Sequence, residues 1–134
     1  MGWELDANNM RTSVNTHDAP NAIGPYSQAI RHGELLWLSG QLGVDPATNA
    51  LVGEGTAEQA EQALRNLAAV CRAAGTTMNQ AVRCTVYLVD MADFPTVNKI
   101  YERHFSAPFP ARATVQVAAL PRGGRVEIDA VVAV

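Results

Sequence analysis

Cysteine is scarce in this chain of 134 residues: Cys71 and Cys84 are the only two, with no C-x-x-C and no histidine at zinc-ligand spacing. A disulfide framework or a structural zinc site is therefore not expected, and both cysteines read as buried, reduced thiols. Charge is also sparse, with 17% charged residues and a formal net charge of −3, so no general attraction draws the chain to phosphate backbones or anionic membranes. No apolar run approaches the roughly 20 residues of a membrane span. The opening "MGWELDANNM" lacks the basic start and apolar middle of a secretion signal. These absences give the expectation of a cytoplasmic protein whose residues 1–10 form a loose leader ahead of a single domain over 11–134.

Hydrophobic residues make up 48% of the chain, enough for one packed core of ordinary domain size. "AIRHGELLWLS" sets two apolar runs about His32-Gly33 and predicts an antiparallel hairpin. In "GEGTAEQAEQALRNLAAVCRAAG", Thr56 and Gln59 have capping-box spacing, Ala60, Leu64, Leu67, Ala68 and Cys71 share one face, and Gly75 suits the stop; this predicts a helix. "AVRCTVYLVD" alternates Val82, Cys84, Val86 and Leu88 against a second face and predicts a strand, so a βαβ unit is implied. Asp93 is the expected cap of a second helix, with Pro95 in its first turn and Phe94, Val97, Tyr101 and His104 or Phe105 as its buried stripe. Two strands, over 112–118 and 125–134, close the chain, and a weaker one is expected over 11–14. The order predicts an α+β domain, a mixed sheet with both helices on one face.

That arrangement leaves a second sheet face. Alternation assigns to it Arg112, Thr114 and Gln116 from one strand and Arg125, Glu127 and Asp129 from the next, together with Val131 and Ala133. A face of this mixed character is expected to be buried against other subunits.

The commonest site patterns are missing: no G-x-S-x-G surrounds Ser39, no HExxH involves His17, His32 or His104, and "GEG" at 53–55 lacks the third glycine of a dinucleotide loop. Arg112, the lone charge in "PFPARATVQVA", is the most informative residue. An arginine on a strand ordinarily joins an ion pair, and Glu127 is the candidate partner. Against that, "FP" fixes the chain's entry, the neighbouring side chains are small or neutral, and no carboxylate lies nearby in sequence. A planar guanidinium in such a place is suited to grip a carboxylate through two parallel hydrogen bonds. Glu127 reads as a solvated strand residue unless burial raises its pKa, when it can orient a water or carry a proton. Gly24-Pro25 forms a turn that presents Tyr26, and Gly40 after Ser39 lets a ligand approach backbone amides.

Taken together, "AIGPYSQA" (22–29), "SGQLGVDP" (39–46), "DFPTVNKIY" (93–101) and "FPARATVQVAALPRGGRVEIDAV" (109–131) closely resemble the reactive intermediate deaminase family, also called Rid or YjgF. The similarity runs from about Thr16 to the C-terminus. It is most specific where Pro110, Arg112, Leu120, Glu127 and Ile128 keep the family's residues and spacing. The resemblance implies a chorismate-mutase-like fold, a homotrimer with clefts between subunits, and hydrolysis of 2-aminoacrylate and similar enamines or imines to 2-oxo acids and ammonia, with neither metal nor organic cofactor. It implies Arg112 as the clamp on the substrate carboxylate, Tyr26, Ser39 and Asn98 as pocket residues, Gly40 as a backbone contact, and Glu127 as the acid that positions water. Thr114 stands where many members carry cysteine, so a role there through the backbone carbonyl survives and one needing a thiol is excluded.

Two other functions compete. Some members are described as endoribonucleases or translation inhibitors, and Arg122 and Arg125 around Gly123-Gly124 would supply a small basic loop. Net acidity, the lack of stacking aromatics beside that loop and the lack of a histidine pair argue against nucleic acid. A trimer that binds 2-oxo acids or client proteins without turnover uses the same carboxylate clamp.

Overall fold

The computed structural model describes residues 10–134; nearly all of the expected leader lies outside the described residues. The elements run β1 (Thr12–Val14), β2 (Ala29–His32), β3 (Leu35–Leu42), β4 (Val44–Asp45), β5 (Ala50–Leu51), α1 (Thr56–Ala73), β6 (Ala81–Leu88), α2 (Phe94–Glu102), β7 (Ala111–Gln116) and β8 (Val126–Ala133). The main sheet has the order β1-β2-β3-β8-β6-β7. Only β6 and β7 pair in parallel, across α2, while every other pairing in this sheet is antiparallel. The protein is a mixed α+β domain. The βαβ unit expected around α1 is split, because β8 inserts between β3 and β6; the unit with adjacent parallel strands is β6-α2-β7.

The hairpin turn falls on Gly33-Glu34, one residue later than the sequence suggests, and Gly33 adopts φ 62, where a side chain is strained. One sheet face is apolar: Leu36 and Leu38, Cys84, Val86 and Leu88, and Val126, Ile128, Ala130 and Val132 are all buried. Ala60, Leu64, Leu67 and Cys71 of α1 and Val97 and Tyr101 of α2 cover it. Each large aliphatic side chain fully buried there contributes about 1.5–3 kcal/mol. Val82, expected in the inward row, is 46% exposed because a register shift between Ala81 and Arg83 breaks the alternation.

Two caps differ from expectation. The N-cap of α1 is Gly55, not Thr56, and the Glu58 carboxylate accepts its backbone N–H at 2.8 Å. Asp93 does occupy the N-cap position of α2, but its side chain caps nothing there. Instead it accepts from the Thr56 hydroxyl at 2.7 Å and from Arg125 at 2.9 Å, tying the starts of both helices to the start of β8. Glycine, lacking a side chain, and tertiary ion pairing explain these shifts.

Buried polar side chains set the loops that shape the site. Gln28 accepts from Thr16 N–H at 2.7 Å and donates to the Pro20 carbonyl at 2.8 Å, fixing the segment that leads to Tyr26. Asn66 donates to the Val44 carbonyl at 2.8 Å, and Gln59 donates to the Gly53 carbonyl and accepts from Arg125 N–H, both at 2.8 Å. Gly43 lies so close to α1 that an added Cβ would meet Gln59 Cα at 2.4 Å and its carbonyl oxygen at 2.6 Å. Backbone cannot swing aside as a side-chain tip can. We therefore expect Gly43→Ala to lower unfolding stability by about 1–3 kcal/mol, measured by urea denaturation; an unchanged midpoint would contradict this close approach.

Candidate active site

Parallel pairing with β6 places Arg112 opposite Cys84 and Thr114 opposite Val86, both on the helix-covered face. The assignment of Arg112, Thr114 and Gln116 to the other face is thus corrected: alternation leaves two choices, and the α2–β7 connection selects the one under α2. The guanidinium carbon lies 4.8 Å from the Tyr101 ring centroid and 5.3 Å from that of Phe94, and Nη1 donates to Asn98 Oδ1 at 2.8 Å. Phe94, Asn98 and Tyr101 follow one another at i, i+4 and i+7, so one face of α2 builds the whole seat. That spacing was the available signal for the aromatic platform, which residue-by-residue reasoning took only as core.

None of these contacts neutralises Arg112. Among the described residues no carboxylate forms a salt bridge with it, and the ion pair with Glu127 does not occur. The remaining donors face a cleft of about 420 Å³ lined by Asn98, Tyr101, Glu102, Phe109 and Pro110. Thr114 is not in that lining, and its hydroxyl is buried without a hydrogen-bond partner. The Tyr101 hydroxyl is likewise buried without a well-formed hydrogen bond, although the Cys84 thiol lies beside it; burial pushes the pKa of both groups up. Cys71, also free and buried, is pushed up to about 12 by the same cause.

Glu127 belongs to the opposite face. It pairs with Tyr87 across β6 and with Leu42 across β3. An irregularity between Leu38 and Gln41 sets Ser39 and Gly40 beside it, and a Cβ on Gly40 would sit 2.8 Å from Glu127 Oε2. The Ser39 hydroxyl donates to the Ser27 carbonyl at 2.6 Å, which leaves its oxygen as an acceptor toward the cleft. Tyr26 follows Gly24, whose φ of 114 needs glycine, and projects its half-exposed ring. Tyr26, Ser39, Gly40 and Glu127 all line a second cleft, of about 730 Å³. Burial first, and the neighbouring Asp129 second, raise the Glu127 pKa above the usual carboxylate range. That is the shift a water-orienting or proton-carrying acid needs.

The sequence-derived site residues are therefore divided within one chain, with Arg112 and Asn98 in one cleft and Tyr26, Ser39, Gly40 and Glu127 in the other. Arg125 is not on the Glu127 face as expected: its guanidinium turns to Asp93 at 2.9 Å and Thr56 at 2.8 Å. With its charge paired to Asp93, Arg125 does not join Arg122 in the basic loop envisaged for RNA, and Arg122, bonded to the neutral Asn49 carbonyl at 2.6 Å, stands there alone. The face around Glu127 also carries Trp37, 52% exposed, Val115, 41% exposed, and a Tyr87–Asp129 hydrogen bond of 3.0 Å. Among the described residues no helix is long and apolar enough to cross a membrane, and no group of three or more His, Cys, Asp or Glu is placed to hold a metal.

The family model described as endoribonuclease L-PSP matches residues 16–134, and the chain belongs to that family. Among its relatives is the human 2-iminobutanoate/2-iminopropanoate deaminase, 50% identical over 122 residues that cover 91% of this chain and 89% of the other. RutC family protein y4sK of Sinorhizobium fredii is 53% identical over 119 residues, 89% of this chain and 94% of the other. The crystal structure of RidA from an Antarctic Psychrobacter superposes with a TM-score of 0.89 at 47% identity, covering 92% of this chain and all of that one. Escherichia coli TdcF with bound serine gives a TM-score of 0.87 at 35% identity, with 92% and 98% covered.

The raised pKa of Glu127 has a measurable sign. Its folded pKa exceeds the unfolded one, so the stability it contributes is complete below the unfolded value, about 4.3, and is lost as pH rises through the folded value. Glu127→Gln keeps the neutral form at every pH. We expect the variant to match wild type in melting temperature near pH 4 and to exceed it increasingly toward pH 8; a difference that does not change with pH would contradict the shift.

Proposed function

We propose that this protein hydrolyses small 2-imino acids, and their enamine tautomers such as 2-aminoacrylate, to 2-oxo acids and ammonia. The carrying observation is Arg112: a guanidinium held by aromatic faces and one amide oxygen, with no counter-ion among the described residues, lining a cleft. The identity to the human deaminase over nearly the whole chain supports the same reading, and the serine in TdcF is an amino acid whose carboxylate suits such a clamp.

In this reading Arg112 binds the substrate carboxylate and fixes the adjacent C=N carbon, with Asn98 keeping the guanidinium in plane. Glu127 accepts a proton as a water oxygen bonds to that carbon, and the C=N π electrons move to nitrogen. Starting from the iminium form, this gives a carbinolamine whose nitrogen takes the proton back from Glu127; the C–N bond then breaks with its electron pair on nitrogen and ammonia leaves, the C=O double bond forms, and the hydroxyl proton passes to the Glu127 carboxylate and on to solvent. Tyr26, Ser39 and the Gly40 backbone line the substrate's other side, and Thr114 contributes only through its backbone. No cofactor enters any step.

Arg112 and Glu127 lie on opposite faces of one sheet, so a site that uses both is completed between chains. We propose the assembly to be a homotrimer of a chorismate-mutase-like domain, residues 11–134, with the exposed Trp37 and Val115 packed inside it and a cleft at each subunit boundary. The cytoplasm is its expected location, in keeping with the free thiols of Cys71 and Cys84.

The test follows imine decay after in situ generation by an amino-acid oxidase. Wild type should accelerate decay over the blank, whereas Arg112→Ala should lose about 2–5 kcal/mol of transition-state stabilisation in kcat/KM, and Arg112→Lys should recover little because the flat fork is gone. Decay equal to the blank in wild type would refute catalysis, and with tight 2-oxo acid binding would favour a binding protein. Relative to the blank, wild-type acceleration should fall on the acid side at a pH above the ordinary carboxylate value, and Glu127→Gln should remove that limb along with most of the rate. In sedimentation the wild type should run as a trimer and Trp37→Glu as smaller species; a fully active monomer would contradict the shared cleft.

A further inference from the structure

We propose that Arg122 makes this protein selective for 2-imino acids whose side chain ends in a second carboxylate, which it holds at the far end of the Glu127 cleft. The inference rests on the deaminase reading and names the substrate class of that site.

Arg122 lines the same cleft as Tyr26, Ser39 and Glu127. Its guanidinium is aimed by a neutral acceptor, the Asn49 carbonyl at 2.6 Å, and no described carboxylate forms a salt bridge with it. It repeats the device seen at Arg112, a cation held in place without being neutralised. Arg122 is not bonded to Glu127. Consistent with a separation between them, Glu127 is raised by burial and Asp129 with no opposing pull from Arg122. The acid and the cation of the cleft are thus not joined in a salt bridge.

The backbone reinforces the point. Arg122 has φ 62 and Asn49 has φ 59, so both partners of this hydrogen bond sit in the left-handed region. Asparagine tolerates that region and the next residue, Gly123, adopts φ 70 freely, but an arginine there is held against its backbone preference. A side chain kept under such strain at a cleft is a candidate for function.

The lining of the cleft is mixed: Ile23, Leu42, Val44 and Pro121 give it apolar surface beside the polar Asn21 and Gln41. The cleft's volume of about 730 Å³ falls in the range of about 300–1,000 Å³ that holds ligands far larger than an imino acid with a methyl or ethyl side chain. Apolar lining together with a cation that has no carboxylate partner among the described residues suits a methylene stem with a terminal carboxylate. Such a ligand would meet Arg112 at one end and Arg122 at the other.

The experiment compares 2-iminopentanedioate with 2-iminopentanoate, a pair differing in the terminal group, each generated by an oxidase. Wild type should favour the dicarboxylate in kcat/KM. Arg122→Asn, chosen because asparagine accepts the left-handed backbone, should lower the ratio of the two kcat/KM values about tenfold, mainly through KM. Arg122→Lys should retain most of the preference, and added salt should erode it. A wild type without preference, or an Arg122→Asn ratio equal to wild type, would overturn the proposal while leaving imine hydrolysis intact. If neither imine is hydrolysed faster than the blank, the deaminase reading fails, and calorimetry with 2-oxopentanedioate and 2-oxopentanoate decides this one: tighter dicarboxylate binding that Arg122→Asn abolishes supports it, and equal dissociation constants overturn it.

Discussion

The structure is organised around a positive charge that is held firmly and left uncompensated. Stacking on Tyr101 and Phe94 orients the Arg112 guanidinium through the negative faces of the rings, at about 0.5–2 kcal/mol for each such contact, and Asn98 adds a neutral acceptor. A carboxylate partner would have given a stronger hold and left nothing to offer a ligand. The seat depends on α2 lying across β7 at one rotation, which in turn depends on Val97 and Tyr101 being buried against the sheet. Core packing and ligand capacity are thus the same construction seen from two sides.

The sheet separates the two groups that the proposed chemistry uses. Glu127, opposite Tyr87 and beside Gly40, is half-buried in a cleft of the uncovered face, where burial raises its pKa above the usual carboxylate range. Arg112 looks out from beneath the helices. In the proposed function neither half is a site alone, and subunit contact supplies what each lacks. That requirement gives the exposed Trp37 and Val115 a purpose, since the surface that brings the halves together must itself be buried.

Much of this was legible in the sequence. Both helices and the late strands could be located because the apolar periodicity of 60, 64, 67 and 71 and the density of β-branched residues from Val82 onward are local signals; the candidate site residues as a set came from the family resemblance. Side choice was not legible. Alternation states that Arg112 and Thr114 share a face but not which face, and the answer lies in the register with Cys84 and Val86. Likewise Asp93 sits where a cap belongs and Thr56 one residue inside its helix, and both side chains are claimed by Arg125, 69 residues after Thr56 and 32 after Asp93. The small β4–β5 hairpin escaped notice because two-residue strands carry no periodicity. Arg122 was read for its charge alone, since its aim toward the Glu127 cleft follows from a backbone angle and the Asn49 carbonyl.

The central claim, that one site joins Arg112 of one subunit to Glu127 of another, is tested most directly by complementation. Arg112→Ala and Glu127→Gln proteins, each inactive alone, would be unfolded, mixed in equal amounts and refolded together. A shared site predicts that activity returns, at about a quarter of the wild-type sites for random assembly in a closed ring. Mixed assemblies that form but stay at the level of the separate variants would contradict it.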